Sequence, residues 1–104
     1  MSLLDQVRAA RQAHEALRSS MPIPANLDEK GRLYRAVKSA LDELWGAADR
    51  PGAAASAAEV RRALRRPTVD AEWHAGLTDG EGYRDPAEVW GAYDWLEQAF
   101  TGAT

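Results

Sequence analysis

Apolar residues recur at alternating intervals of three and four over the first half of the chain, which is the spacing of one face of an α-helix. The first run comprises Leu3, Val7, Ala10, His14 and Leu17. The second run comprises Tyr34, Val37, Leu41, Leu44 and Ala48, and it is widened by Leu33, Ala40 and Trp45. The pattern predicts helices at about 3–19 and 27–48, and the short connection between them predicts an antiparallel helical hairpin.

The second half of the chain predicts two further helices. Ser56 and Glu59 have the spacing of a capping box, and Pro67 is expected to end the helix that they begin. Thr68 or Asp70 would cap a short turn before a glycine-rich loop, and Pro86 fits the first position of the last helix. The predicted elements are a helix at about 57–65, a turn at about 69–75, a loop at 76–85 and a helix at about 86–100. No segment alternates with the period of a strand, so the expected fold is all-α, one domain over 1–104 with four main helices.

The composition requires an unusual core. Leu, Ile, Val and Phe together provide only 17 of the 104 residues, whereas the chain has 21 Ala and 4 Trp. Alanine buries little area per residue, so we expect closely spaced helices wedged apart by a few large rings. The chain has no Cys, no apolar run of membrane-spanning length and no signal-peptide pattern, which predicts a cytoplasmic protein.

Charge is distributed unevenly along the chain. Residues 1–68 carry a net charge of +4, whereas residues 69–104 carry −7 and six of the eight aromatic residues. Either this acidic third packs against the basic part of its own chain, or it forms a surface for a partner protein with a basic surface. The residues predicted to bind such a partner are Trp73, Asp79, Glu81, Glu88, Trp90, Asp94, Trp95 and Glu97. Because Trp90 and Trp95 fall on opposite sides of the core stripe of the last helix, both cannot easily be buried against one neighbour.

One cluster of basic residues suggests contact with phosphate groups. Its members are Arg61, Arg62, Arg65 and Arg66. They would occupy the side of the third helix opposite its apolar residues, but the sequence places no aromatic platform beside them. The net charge of −3 and the pI near 5.3 argue against nucleic acid as the main ligand. A solvated face, or pairing with the acidic third, is the alternative interpretation.

The sequence offers little support for catalysis or for a metal. His14 lies within an apolar helical seam, where a hydrogen-bonded core histidine is the expected role. His74 follows Asp70 by one helical turn, and Asp79 and Glu81 could join them around a cation. The acidic loop nevertheless lacks the spacing of an EF-hand, and two distant histidines match no zinc pattern. No cofactor, metal site or catalytic residue is therefore predicted.

These observations favour a non-catalytic interaction protein: an adaptor, an inhibitor or a chaperone-like binder that docks through its acidic, aromatic third. Phage and mobile-element inhibitors that occupy the nucleic-acid channel of a host protein are an analogy of size and charge, not of motif. The alternatives are a nucleic-acid-binding accessory protein that uses the arginine cluster, a homodimeric structural protein, and a small enzyme that clamps an anion between Arg11 and Arg35.

Overall fold

The structure is a computed structural model that describes residues 2–20, 27–49, 55–77 and 86–101. Within these ranges the chain forms four helices and no strand. They are α1 (Leu3–Ser19), α2 (Leu27–Gly46), α3 (Ala57–His74) and α4 (Pro86–Ala99). The predicted all-α bundle of four main helices is confirmed.

The four helices pack in a ring in the order of the chain. α1 packs most extensively against α2, α2 packs against α3, α3 against α4 and α4 against α1, while α1 also contacts α3 across the centre. The Lys30 ammonium joins the end of α1 to the start of α2, since Nζ donates to the Ser20 hydroxyl at 2.7 Å and to the Leu17 carbonyl at 3.4 Å. These hydrogen bonds hold the end of α1 against the start of α2, and α3 and α4 pack against this pair of helices.

The core combines alanines with large rings. Tyr93 and Phe100 of the C-terminal segment are completely buried, and small residues such as Ala10, Ala71 and Ala40 lie among the buried positions. One expectation is wrong: Trp45 does not widen the buried stripe of α2 but is 40% exposed. Leucines and valines also supply half of the buried hydrophobic residues, and the large rings among them are the phenol and the phenyl rather than the indoles.

α3 is longer than the sequence predicts, because the helix continues through Pro67 to His74. Pro67 is buried on the same face as Val60, Leu64 and Ala71, so the apolar spacing runs on past it. Burial of this face offsets the backbone hydrogen bond that the proline removes. The predicted caps also differ: Thr68 Oγ1 donates to the Leu64 carbonyl at 2.8 Å, and Asp70 points into the centre of the bundle.

Local signals fix the starts of the helices. Ser2 and Asp5 form a reciprocal capping box at α1, and the Ser56 hydroxyl accepts from the Glu59 amide at α3. Asn26, which has the capping-box spacing to Glu29, and Asp85, which precedes Pro86, are cap candidates by sequence that lie outside the described residues. No helix among the described residues is long and apolar enough to cross a membrane.

Candidate functional site

A polar cluster lies at the centre of the bundle, where α1, α3 and α4 meet. The His14 imidazole donates from Nε2 to Asp70 Oδ2 at 2.7 Å, and its Nδ1 lies 2.9 Å from the Tyr93 hydroxyl. Because an ionised carboxylate can only accept, Nε2 carries the hydrogen of its bond to Asp70, and the Tyr93 hydroxyl is the partner of Nδ1. Arg18 Nη1 donates to both Asp70 oxygens, at 2.9 and 2.8 Å.

Burial and charge act against each other in this cluster. Desolvation acts to raise the pKa of Asp70, but hydrogen bonds from His14 and Arg18 outweigh it and hold that pKa below its usual range. Burial raises the pKa of Tyr93, which therefore keeps its proton. The cluster contains a carboxylate stabilised by a guanidinium and an imidazole, together with a protonated tyrosine hydroxyl.

His74 stands beside the cluster. Its Nε2 lies 3.7 Å from Asp70 Oδ1, which is too far for a hydrogen bond. Burial lowers the pKa of His74, and the positive charges of Arg18 and Lys30 act in the same direction against the attraction of Asp70. His74 lies close to Asp70, as their spacing in the sequence suggests. The other groups around Asp70 are His14 and Arg18 rather than a set of oxygen ligands.

The histidine and aspartate pair has the chemistry of a general base, but no substrate can reach it. His14, Asp70 and Tyr93 are each 0% exposed. A base must come within hydrogen-bond distance of the proton that it removes. The cluster therefore fits a structural role that ties three helices together. No group of three metal-ligating side chains occurs among the described residues, and Asp79 and Glu81 lie outside them.

The acidic residues of α4 face the basic residues of α1. Arg11 Nη1 donates to Asp94 Oδ1, and the Glu97 carboxylate lies 3.8 Å from both Arg8 and Arg11. Glu88 is exposed. Two carboxylates of the predicted acidic surface are thus paired within the chain.

The three C-terminal tryptophans occupy different environments. Trp90 is half-buried, with its ring centroid 5.6 Å from that of His14 and with the Arg11 guanidinium 5.9 Å from the ring. Trp95 is half-buried on another side of α4, whereas Trp73 of α3 is exposed. The predicted separation of Trp90 and Trp95 is present.

Indole rings flank the arginines of α3 on both sides. Arg61 Nη2 donates to Asp49 Oδ2 at 3.1 Å, and the guanidinium carbons of Arg61 and Arg65 lie 5.5 and 6.0 Å from the Trp45 ring centroid. Arg62 and Arg66 point away from Trp45 and line a cleft with Trp95. The aromatic platform that the sequence around the arginines lacks is thus supplied by α2 and α4.

The cleft between α3 and α4, here called the α3–α4 groove, has a volume of about 440 Å³. Its lining comprises Glu59, Arg62, Ala63, Arg66, Gly91, Ala92 and Trp95. A second hollow of about 300 Å³ shares Glu59 and Trp95 with it and extends it toward the end of α4. The groove therefore has a floor of small residues, two arginines on one wall and an indole on the other.

Four large apolar side chains of α2, of α3 and of the segment that follows α3 are exposed, and together they define the surface here called the α2–α3 face. Its members are Trp45 (40% exposed), Val69 (43%), Trp73 (43%) and Leu77 (62%). No other large hydrophobic residue among the described residues is exposed. A cleft of about 380 Å³ begins at Trp45 and Val69 and also contacts Lys38, Asp42 and Arg65.

The anion clamp of Arg11 and Arg35 is not assembled. Arg11 is engaged with Asp94 on α4, whereas Arg35 lines a separate cavity of about 610 Å³ with Tyr34 and Leu77. The two guanidinium groups therefore do not share a cavity.

Sequence reasoning missed two features of these sites. It took Trp45 as a core residue, and it did not connect Asp70 with His14 and Arg18. The second feature had a signal, because the spacing Val60, Leu64, Pro67, Ala71 continues through the proline and places Asp70 on the inner side of a longer helix. Comparison with protein-family models, with curated proteins and with solved structures gave no match for the chain.

Proposed function

We propose that this protein is a non-catalytic interaction module that binds a partner protein through the α2–α3 face. The observation that carries the proposal is that exposed Trp45 and Val69 line one cleft, with exposed Trp73 one helical turn beyond Val69. Single exposed apolar residues are ordinary on protein surfaces, but a contiguous apolar surface is typical of an interaction site.

The spacing of these residues suits a helical partner. Val69 and Trp73 lie one turn apart in a line on α3, and Leu77 follows the end of the helix, after Gly76 with a φ of 76°. Trp45 of α2 stands beside the N-terminal end of this line, across a shallow cleft. An amphipathic helix that lays its apolar side on such a surface buries anchors of the kind that dominate binding energy, among which tryptophan is enriched.

Charge at one end of the face indicates the chemistry of the partner. Arg65 borders the cleft and has no ion-pair partner among the described residues, whereas Lys38 is paired with Asp42 at 2.9 Å. A partner helix with an apolar side and a carboxylate near Arg65 complements this arrangement. A basic partner on the acidic C-terminal surface has less support, since Asp94 and Glu97 are engaged with α1.

The test is affinity capture from a lysate of the source organism, treated with nuclease, with the retained proteins identified by mass spectrometry. The double variant Val69→Ser with Trp73→Ser should lose a protein that the unmodified chain retains, while its helical circular dichroism stays unchanged. The matched control is Trp95→Leu, which alters an indole outside the α2–α3 face and should retain the same protein. Equal retention by all three forms would overturn the proposal.

A further inference from the structure

We infer that the α3–α4 groove binds a nucleotide unit, with the phosphate on Arg62 and Arg66 and the base against the Trp95 indole. This site is distinct from the α2–α3 face, and the inference does not depend on the partner protein proposed there.

The charge of the groove favours an anion. Arg62 and Arg66 are exposed, lie one helical turn apart and have no ion-pair partner among the described residues. The single carboxylate in the lining is Glu59, at the N-terminal end of α3, where its Oε1 accepts from the Ser56 hydroxyl. The lining thus carries a net positive charge, which is strongest at the Arg66 end, away from Glu59.

The opposite wall supplies a surface for a flat ring. Trp95 is half-buried, so its position is set by packing against the core while part of the indole borders the groove. Stacking of bases on aromatic side chains, next to a basic groove that follows the phosphates, is the usual means of binding unpaired nucleotides. A carboxylate from a peptide would satisfy the arginines but would leave the indole without a ring to stack on.

Gly91 provides an independent indication of a ligand. It lies in the middle of α4, where glycine is less stable than alanine because of its backbone freedom. A Cβ atom at this position would meet nothing within 4 Å, so no contact among the described residues requires its absence. Glycine is the residue that permits close approach of a ligand to the backbone, and Gly91 lines the groove on α4, one helical turn before Trp95.

The same chemistry is present in a free nucleotide and in a single strand, and competition distinguishes these sources. A fluorescein-labelled oligothymidylate of 12 nucleotides is titrated with the full chain at low salt, and binding is followed by fluorescence anisotropy. Displacement by thymidine monophosphate would assign the site to free nucleotides, whereas displacement only by unlabelled single strands would assign it to a longer chain. A duplex should compete poorly because its bases are stacked inside.

Two variants test the walls of the groove. Arg62→Gln with Arg66→Gln should weaken binding at least tenfold and should lower the slope of log affinity against log salt by about 0.7, since the two arginines hold one phosphate and each neutralised phosphate of a single strand contributes about 0.7. Arg32→Gln with Arg35→Gln removes the same charge from α2 and should leave both quantities nearly unchanged. Trp95→Leu should weaken binding roughly tenfold at constant charge.

Substitution of Gly91 tests the groove without disturbing the core, because a Cβ atom at this position would meet no other described residue within 4 Å. Gly91→Ala should leave the fold intact but weaken binding, because its Cβ would occupy the space that the ligand approaches, and Gly91→Leu should block the groove. The Val69→Ser and Trp73→Ser variant should retain oligonucleotide binding, which separates this inference from the proposed protein partner. No binding at 50 mM salt, equal competition by polyglutamate, or equal loss in the Arg32 and Arg35 control would overturn the inference.

Discussion

The arginines of α1 and those of α3 meet different surroundings within one small bundle. On α1, Arg8 and Arg11 face carboxylates of α4, and Arg18 reaches the buried Asp70. On α3, Arg62, Arg65 and Arg66 have no ion-pair partner among the described residues. The charge of α1 therefore takes part in holding the fold together, whereas the charge of α3 remains available to a ligand.

The difference follows from what each helix packs against. α4 carries the carboxylates Asp94 and Glu97 on the side that meets α1, whereas its side toward the α3–α4 groove carries Gly91 and Trp95. The basic residues of α1 are thus paired with the carboxylates of α4, whereas Arg62 and Arg66 of α3 meet no carboxylate among the described residues of α4.

The largest expected effect on stability comes from removing the buried Asp70 carboxylate, to which Arg18 of α1 donates. Asp70→Asn should lower the free energy of unfolding by about 3–5 kcal/mol, because the Arg18 guanidinium and the His14 imidazole would lose the charge that compensates their burial. Urea denaturation followed by circular dichroism measures this loss. Asp42→Asn, at an exposed ion pair with Lys38, is the control and should cost less than about 0.5 kcal/mol. Similar losses in the two variants would show that the cluster contributes no more than a surface pair.

A smaller loss is expected from the tyrosine hydroxyl. Tyr93→Phe keeps the ring but leaves Nδ1 of His14 without its partner at 2.9 Å, which should cost about 1–3 kcal/mol. The hydroxyl of Tyr34, which is only half-buried, provides the matched control through Tyr34→Phe. An unchanged midpoint for Tyr93→Phe would mean that another group satisfies the imidazole.

Acid should weaken the central cluster in two stages. Burial lowers the pKa of His74 from 6.5, so the unfolded chain takes up this proton first and stability falls as the pH drops below about 6.5. Asp70, whose pKa lies below 3.8, contributes stability that persists above that value and is lost only as the pH falls through its folded pKa. Each group changes the free energy of unfolding by at most about 1.4 kcal/mol per pH unit.

Thermal unfolding between pH 7 and pH 3 tests this order. His74→Gln should remove the His74 contribution to the decline that begins near pH 6.5 and should retain the loss at more acidic pH. An identical profile for the variant would assign the first stage to another group.

The smallest expected effect is the difference in stability between variants of a paired arginine of α1 and of an arginine of α3 that has no ion-pair partner among the described residues. Arg11→Gln should destabilise the fold by about 0.2–1 kcal/mol, because its pairs with Asp94 and Glu97 are partly exposed to solvent. Arg62→Gln should change stability by less than about 0.5 kcal/mol. Denaturation at low and high salt measures both, and only the Arg11 variant should show a reduced dependence on salt. Equal behaviour of the two variants would remove the distinction between α1 and α3.

The sequence predicted the helices better than it predicted what lies between them. The spacing of Val7, His14 and Leu17 predicts which face of α1 is buried, because helical periodicity depends on local order alone. The predicted end of α3 before Pro67 is wrong, because burial of a continuous apolar face outweighs the local tendency of proline to end a helix. The partners of Asp70 come from α1, more than fifty residues away, and no periodic pattern specifies such pairs.

The candidate sites show the same limit. The sequence identified the arginines of α3 but did not place Trp45 and Trp95 on either side of them, because these rings belong to other helices. The exposure of Trp45 depends on the angle at which α2 meets α3, which is a property of packing.

Pro67 also has a consequence for the motions of α3. A proline has no amide hydrogen, so the Ala63 carbonyl receives no bond from the residue four positions on, and the backbone ladder is interrupted in mid-helix. The segment after Pro67 is held to α1 through the buried Asp70, whereas the segment before it carries the arginines and is held through apolar contacts and the exposed bond from Arg61 to Asp49. We expect amide hydrogen exchange to separate the two segments: protection after Pro67 should approach that of global unfolding, and the arginine-bearing turns should open more often. The surface that offers its charge to a ligand would then also be the part of the helix that adjusts most readily to one.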